Sequence, residues 1–401
     1  MPYKPLKKYR VLDLTNVLSG PFCGHLLAYM GAEVIKIEVP KTGDLSRQLG
    51  ADSELNTKKM GVSFLAQNSG KKSLTINLKA DSGKQLFKRL VKDADVLVEN
   101  FRPGVMDRLG LSFDDLKLEN SSLVYCAISG FGATGSLRNK PAYDQIIQGM
   151  SGVMSITGSP ETAPFRVGYP IADTVGGMSA AFAITSILAG RNGGSGDATF
   201  IDVSMLASTM STMGWVISNY LIAGKEPQPM GNDNFTSSPS GTFRTGNGLL
   251  NIAANKQEQF ESLCKVVGRL EWIIDERFHD RLARLENRQV LKELLEERLL
   301  EKSAEEWEND FSEVSVPSGQ VLSVSEALNH PHLRSRGMIE KFENIPGVGS
   351  VEIFRPGFKL NGFSLGVEIP PPSLSQHTEE ILSELGLLSE EIEVLRNEGV
   401  I

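Results

Sequence analysis

Residues 11–38, VLDLTNVLSGPFCGHLLAYMGAEVIKIE, decide the fold. The apolar run at residues 10–14 reads as a short buried strand, and Pro21 falls where the first turn of a helix tolerates a missing N–H. That helix is expected to end at Met30 and Gly31, and residues 32–38 form a second strand, so the opening is a β-α-β unit of a parallel sheet. The alternation continues with SLTINL from Ser73, an amphipathic helix over residues 82–93, a strand over residues 94–100 and another over residues 123–130. Beyond Gly130 come loops and two helices rich in small residues, over residues 173–189 and 199–221. A Gly/Pro/Asn-rich stretch at residues 224–241 then leads into the strand GLLNIAA and charged helices over residues 257–311. A strand around residues 349–354, the triple proline 370–372 and two helices within 377–397 close the chain. The predicted class is α/β, with a Rossmann-like parallel-sheet large domain and a smaller α+β domain.

A chain of 401 residues exceeds what one compact core organises, which agrees with two domains. Hydrophobic residues make up 40% and charged residues 22%, a composition too apolar for disorder. The net charge of -8 gives no global attraction to nucleic acid or to an anionic membrane, so neither is expected as a partner. Cys23, Cys126 and Cys264 form no CxxC pair, which argues against a disulfide framework or structural zinc and fits a reducing cytoplasm. The start, MPYKPLKKYR, runs straight into a strand and carries no secretory signal. Residues 171–190 and 205–224 are apolar enough to raise a membrane span, yet Asp173 with several glycines in one, and Ser, Thr and Asn in the other, favour core helices.

The β-α-β opening invites a dinucleotide site, but its first turn, TNVLSGP, holds Gly20 alone where that fingerprint needs three spaced glycines. No phosphate loop, H-E-x-x-H or G-x-S-x-G motif occurs, and the five histidines are scattered, so no metal site is expected. Two carboxylates stand out by setting: Asp144 in KPAYDQIIQG, and Asp173 in YPIADTVGG, which opens an apolar helix. On setting alone Asp173 is either a plain helix cap or a catalytic group beside closely approached backbone. Lys41, Lys71, Lys72, Arg102, Arg108, Arg138 and Lys140 lie near predicted strand ends, where open α/β sheets bind ligands; a phosphate-bearing ligand or a solvated face explains them.

Taken together, VLDLTNVLSGPFCGHLLAYMGAEVIKIE, DVLVENFRPGVMDRLGL, ISGFGATG, AYDQIIQGMSGVMSITG, PFRVGYPIADTVGGMSAA and PPPSLSQHTEEIL resemble the class III CoA-transferases, the CaiB/BaiF family, over essentially the whole chain. The resemblance implies an interlocked homodimer and a discontinuous large CoA-binding domain over 1–200 and 326–401. It further implies a linker helix at 201–224 and a small domain at 225–325. It places Asp173 on the family's catalytic aspartate, forming an acyl-aspartyl anhydride and then an aspartyl-CoA thioester. The substrates implied are an acyl-CoA and a small carboxylic acid, with no tightly bound cofactor and no metal. By the same matching Leu18, Lys41, Lys71, Asn100, Phe101, Arg108, Leu109, Lys140 and Tyr143 fall on or near CoA contacts; Lys41 substitutes for an arginine that one branch carries where Val39 stands here.

Departures narrow the reading. The formyl-CoA branch has glutamine where Leu18 stands and a glycine run where this chain has FTSSPSG at residues 235–241, so formate and oxalate are disfavoured. The racemase branch has histidine where Tyr143 stands, and a phenol is a poor base at neutral pH. The overall pattern is similar to members acting on dicarboxylic acids such as glutarate, with Arg166, Ser237, Ser238 and Ser240 as candidate contacts for the acid. The alternatives are an acyl-CoA racemase or epimerase and a non-catalytic acyl-CoA-binding protein.

Overall fold

The computed structural model describes residues 3–191 and 196–401. Six strands form one sheet: β1 (Arg10–Asp13), β2 (Glu33–Glu38), β3 (Lys71–Thr75), β4 (Val96–Glu99), β5 (Val124–Ser129) and β6 (Thr199–Ser204). Their order is β3-β2-β1-β4-β5-β6 and every pairing is parallel. Alternate residues of each strand feed two cores, as the two-residue side-chain period requires. Leu12, Ile35 and Leu97 pack with Leu86, Phe87 and Leu90 of the Asp81–Lys92 helix. Val11, Val34, Val96 and Val98 pack on the other face with Cys23 and Leu27 of the Ser19–Tyr29 helix and with Ala180 and Ile184 of the Ile171–Gly190 helix.

The last two helices press together closely. A Cβ on Gly177 would lie 2.3 Å from the Ser19 carbonyl oxygen, so only glycine permits that approach. The Ile171–Gly190 helix is long and apolar enough to cross a membrane by length and composition, with 33% of its most apolar window buried. Its buried face holds Gly176, Gly177, Ala180, Ile184 and Leu188, while Met178 and Phe182 are exposed.

Residues 199–221, expected as one helix, and 201–224, expected as a linker helix, are corrected by the structure. Thr199–Ser204 is the sheet's last strand, and two helices follow, Met205–Thr212 and Gly214–Ala223. The boundary is Ser204, whose hydroxyl caps the next helix by accepting the Ala207 N–H. No proline or glycine marks that point, so the small-residue run reads as continuous from sequence.

The chain divides into two compact units. One comprises Met1–Val153, Arg166–Lys225 and His332–Ile401, and holds the parallel sheet. In it the C-terminal helices Thr378–Glu384 and Ser389–Asn397 add Ile381, Leu382 and Ile392 to the first core, and His377 N–H donates to Ser73 of β3. The other unit, Met154–Phe165 with Glu226–Pro331, is α+β. Its antiparallel strands β7 (Ser240–Arg244), β8 (Leu249–Ala253) and β9 (Ser318–Gln320) share a core of Leu250, Phe260, Leu295, Trp307 and Phe311 with the helices around them.

Candidate active site

The connections from β1 run to one side of the sheet and β4 lies on the other, so the loops after β1 and β4 part and leave a crevice at the strand ends. The loop after β1 is held at almost every peptide. Asp13 accepts the Thr15 N–H, and Lys36 Nζ donates to the Thr15 carbonyl at 2.8 Å. Asn100, just beyond β4, accepts the Asn16 N–H and donates to the Asn16 carbonyl, both at 2.8 Å. Asp44 accepts the Val17 N–H at 3.0 Å, fixing a β-branched residue at φ 68°, a left-handed conformation it disfavours.

The clamp rests on fully buried charges: Lys36 pairs with Asp44 at 2.8 Å and Lys71 with Asp13 at 2.8 Å. Burial alone opposes a charged Lys36, but Asp13, Asp44 and Glu38 outweigh it and hold the ammonium above its ordinary range. Lys71 is thereby corrected as a CoA contact. Its Nζ is wholly inside, donating to Asp13 and to the Pro21 carbonyl at 2.8 Å each, and its charge serves the core.

Asp173 stands in the first turn of the Ile171–Gly190 helix, and it does not cap that helix. Asp144 does so from the Asp144–Met150 helix, its Oδ1 accepting the Ala172 N–H at 2.8 Å and the Asp173 N–H at 3.4 Å. Gln148 braces Asp144, donating to Oδ2 at 2.7 Å, and its own carbonyl accepts the Val167 N–H. The Asp173 carboxylate is left without a hydrogen bond among the described residues. Burial, then the neighbouring Asp144 charge, pushes its pKa up to about 7. A half-buried carboxylate without a hydrogen-bond partner, in a cleft, is poised for nucleophilic or proton-transfer work.

Asp173 lines a cavity of 360 Å³ in the crevice together with Leu18, Asn100, Phe101, Lys140 and Tyr143. Lys41 and Leu109 line a second cavity, of 560 Å³, which shares Asn16 and Phe101 with the first. Arg108 is exposed on the Val105–Leu109 helix and lines neither. Arg166 also lines neither; its guanidinium is 3.9 Å from Asp144 Oδ2. Ser237, Ser238 and Ser240 are buried in the other unit, where the Ser238 carbonyl accepts from Arg284 at 3.0 Å. Among the described residues no three His, Cys, Asp or Glu side chains gather as metal ligands.

Sequence reasoning missed Lys79, which lines the second cavity just past β3, and the Lys36–Asp44 pair. For Lys79 the available signal is its place just after the end of SLTINL. For the pair it is the charge inside VIKIE, where a buried strand is otherwise apolar.

The model of CoA-transferase family III matches residues 6–378. The chain is 35% identical over 401 residues to the succinyl-CoA:glutarate CoA-transferase of Mus musculus, covering 99% of this chain and 90% of that protein. It is 38% identical over 341 residues to the acetyl-CoA:oxalate CoA-transferase of Acetobacter aceti, covering 85% of this chain and 86% of that protein. A crystal structure of a CaiB/BaiF family protein from Brucella suis superposes with a TM-score of 0.83 at 34% identity, covering 95% of this chain and 99% of the other.

Proposed function

This chain belongs to CoA-transferase family III, and from that premise we propose that it moves CoA from an acyl-CoA donor to a free dicarboxylic acid with Asp173 as the nucleophile. The observation that carries the reading is the unpaired Asp173 carboxylate, its pKa near 7, in the crevice at the strand ends. A carboxylate oxygen of Asp173 attacks the thioester carbonyl carbon, the C–S bond breaks, and CoA leaves as thiolate, with the acyl group now joined to Asp173 as a mixed anhydride. The thiolate attacks the Asp173 side-chain carbonyl, the anhydride C–O bond breaks, and the donor acid departs as carboxylate. The acceptor carboxylate then attacks the aspartyl thioester, and the same two steps run in reverse. Each step takes in one anion and releases one, so no proton, electron or nucleotide energy is consumed. Asp144, by capping the Asp173 helix and raising the Asp173 pKa, tunes the nucleophile without touching the reacting atoms.

Lys41, Lys79, Phe101 and Leu109 fit the nucleotide end of CoA: two ammonium groups beside apolar surface suit a phosphorylated, aromatic ligand. A dicarboxylate acceptor agrees with the glutarate in the name of the Mus musculus relative, while the oxalate in the name of the Acetobacter aceti relative runs against the expectation that oxalate is disfavoured. A homodimer is supported by the Gly214–Ala223 helix, which buries none of its residues and leaves Trp215 73% and Ile222 85% exposed. Three unpaired, buried thiols suit a reducing cytoplasm.

Incubation with succinyl-CoA and glutarate tests the assignment. Glutaryl-CoA is expected, with a CoA adduct on Asp173 by mass spectrometry, and Asp173→Asn abolishes both. Exchange of α-deuterium without transfer would mark a racemase, and binding with neither reaction a carrier. Transfer at wild-type rate by Asp173→Asn would overturn the mechanism.

A further inference from the structure

A dicarboxylic acid brings a second charge into the Asp173 cavity, and a carboxylate removed from water needs a cationic or multiply donating partner. Asp173 is the one acidic side chain lining that cavity; Arg102, Arg138 and Lys140 are its cations. Once Asp173 is acylated its charge is gone, and the cations face an unbalanced site. Lys140 Nζ lies 3.6 Å from Met150 Sδ and 5.9 Å from the Phe131 ring centre, neutral groups that leave its charge uncompensated. Arg102 and Arg138 have neither an ion pair nor a side-chain hydrogen bond among the described residues. Both are exposed, and both also line an adjoining 480 Å³ cavity. Arg166 is occupied with Asp144 and outside the cavity.

We propose that Arg138, with Arg102 lining the same cavity, receives the distal carboxylate of the acid and makes the enzyme select dicarboxylates over monocarboxylates. The inference rests on the transferase reading above. Arg138 belongs to the loop between β5 and the Asp144–Met150 helix, which ends on Lys140 and Tyr143, so it is carried on the same segment as two other residues of the cavity. A guanidinium presents paired N–H donors to both oxygens of a carboxylate, which an ammonium does not. A CoA phosphate is the other anion such a group could take, and the test separates the two.

Transfer from acetyl-CoA, a donor without a second carboxylate, to glutarate and to valerate, matched in carbon number, is measured for wild type, Arg138→Ala, Arg138→Lys and Arg102→Ala. Arg138→Ala is expected to lower kcat/KM for glutarate about tenfold or more while changing valerate about twofold at most, with the acyl-CoA KM unchanged. Arg138→Lys recovers part of the glutarate rate. Equal losses for both acids, a raised acyl-CoA KM with acid preference kept, or a loss confined to Arg102→Ala would each overturn the assignment. A wild type that prefers valerate overturns it too, yet leaves the transferase reading standing. If the wild type transfers no CoA, the transferase reading fails, and calorimetry of glutarate decides the inference separately: binding about tenfold weaker in Arg138→Ala supports it, and equal binding sinks it.

Discussion

As the proposed nucleophile, Asp173 would combine two properties that oppose each other, a nucleophile's freedom and the cost of a partly buried charge. Its folded-state pKa, about 7, exceeds the ordinary 3.8, so the folded protein binds the extra proton between those values and wild-type stability falls as pH rises through 7. Asparagine escapes that penalty. Asp173→Asn is therefore expected to gain about 1 kcal/mol over wild type between pH 5 and pH 8, a figure discounted for partial exposure, in paired denaturant titrations. A gain that does not grow with pH would show the carboxylate to be unstrained. The same pKa places an ascending limb near pH 7 in kcat/KM, because only the ionised form attacks. Asp144→Asn keeps an oxygen to cap the helix but removes the neighbouring charge, so that limb moves to lower pH. Glu99, buried at the end of β4 and also pushed up to about 7, is the competing source of the limb; if Asp144→Asn leaves it in place, Glu99 is the group titrating.

Between elements, the site depends on a loop fixed by side chains from other strands. Residues 14–18 would not hold Val17 at a left-handed φ by themselves; Asp44, Lys36, Asp13 and Asn100 impose it. Removing one partner of a buried pair leaves the other charge uncompensated, the costliest way to break such a network. Asp44→Ala is expected to cost about 3–5 kcal/mol in urea unfolding, and the double variant Asp44→Ala/Lys36→Met recovers a large part of it. A single-variant loss under about 1 kcal/mol would mean that water reaches Lys36 and that the clamp is not dry.

For the whole chain, the unburied apolar surface makes the prediction. Met178 and Phe182 on the Ile171–Gly190 helix and Trp215, Tyr220, Leu221 and Ile222 on the Gly214–Ala223 helix are too many large apolar groups to leave in water. Light scattering after size exclusion is expected to give twice the chain mass at micromolar concentration. Phe182→Asp with Trp215→Asp should convert it to monomer or aggregate. A wild type that runs as a monomer would remove the homodimer.

The sequence by itself determined five of the six strands of the parallel sheet, because their signals are local: strand-like stretches at 10–14, 32–38, 94–100 and 123–130 and in SLTINL, a proline in a first turn, a glycine at a helix end; the sixth, Thr199–Ser204, it read as helix. It also determined the family, through segments long enough to be recognised without coordinates. What Lys71 does could not be read the same way. It neighbours Lys72 in sequence, yet Lys71 points into the core toward Asp13, while Lys72 reaches Glu33 and Glu380 outside. Only pairing β3 against β2 fixes which lysine faces inward. Likewise the cap on the Asp173 helix comes from Asp144, on another helix, and the loop carrying Leu18 is held by Asp44 and Asn100 from beyond other strands. Electrostatic pairing is set by distances of a few ångströms between residues far apart in the chain, and those distances exist only once the strands have been placed side by side.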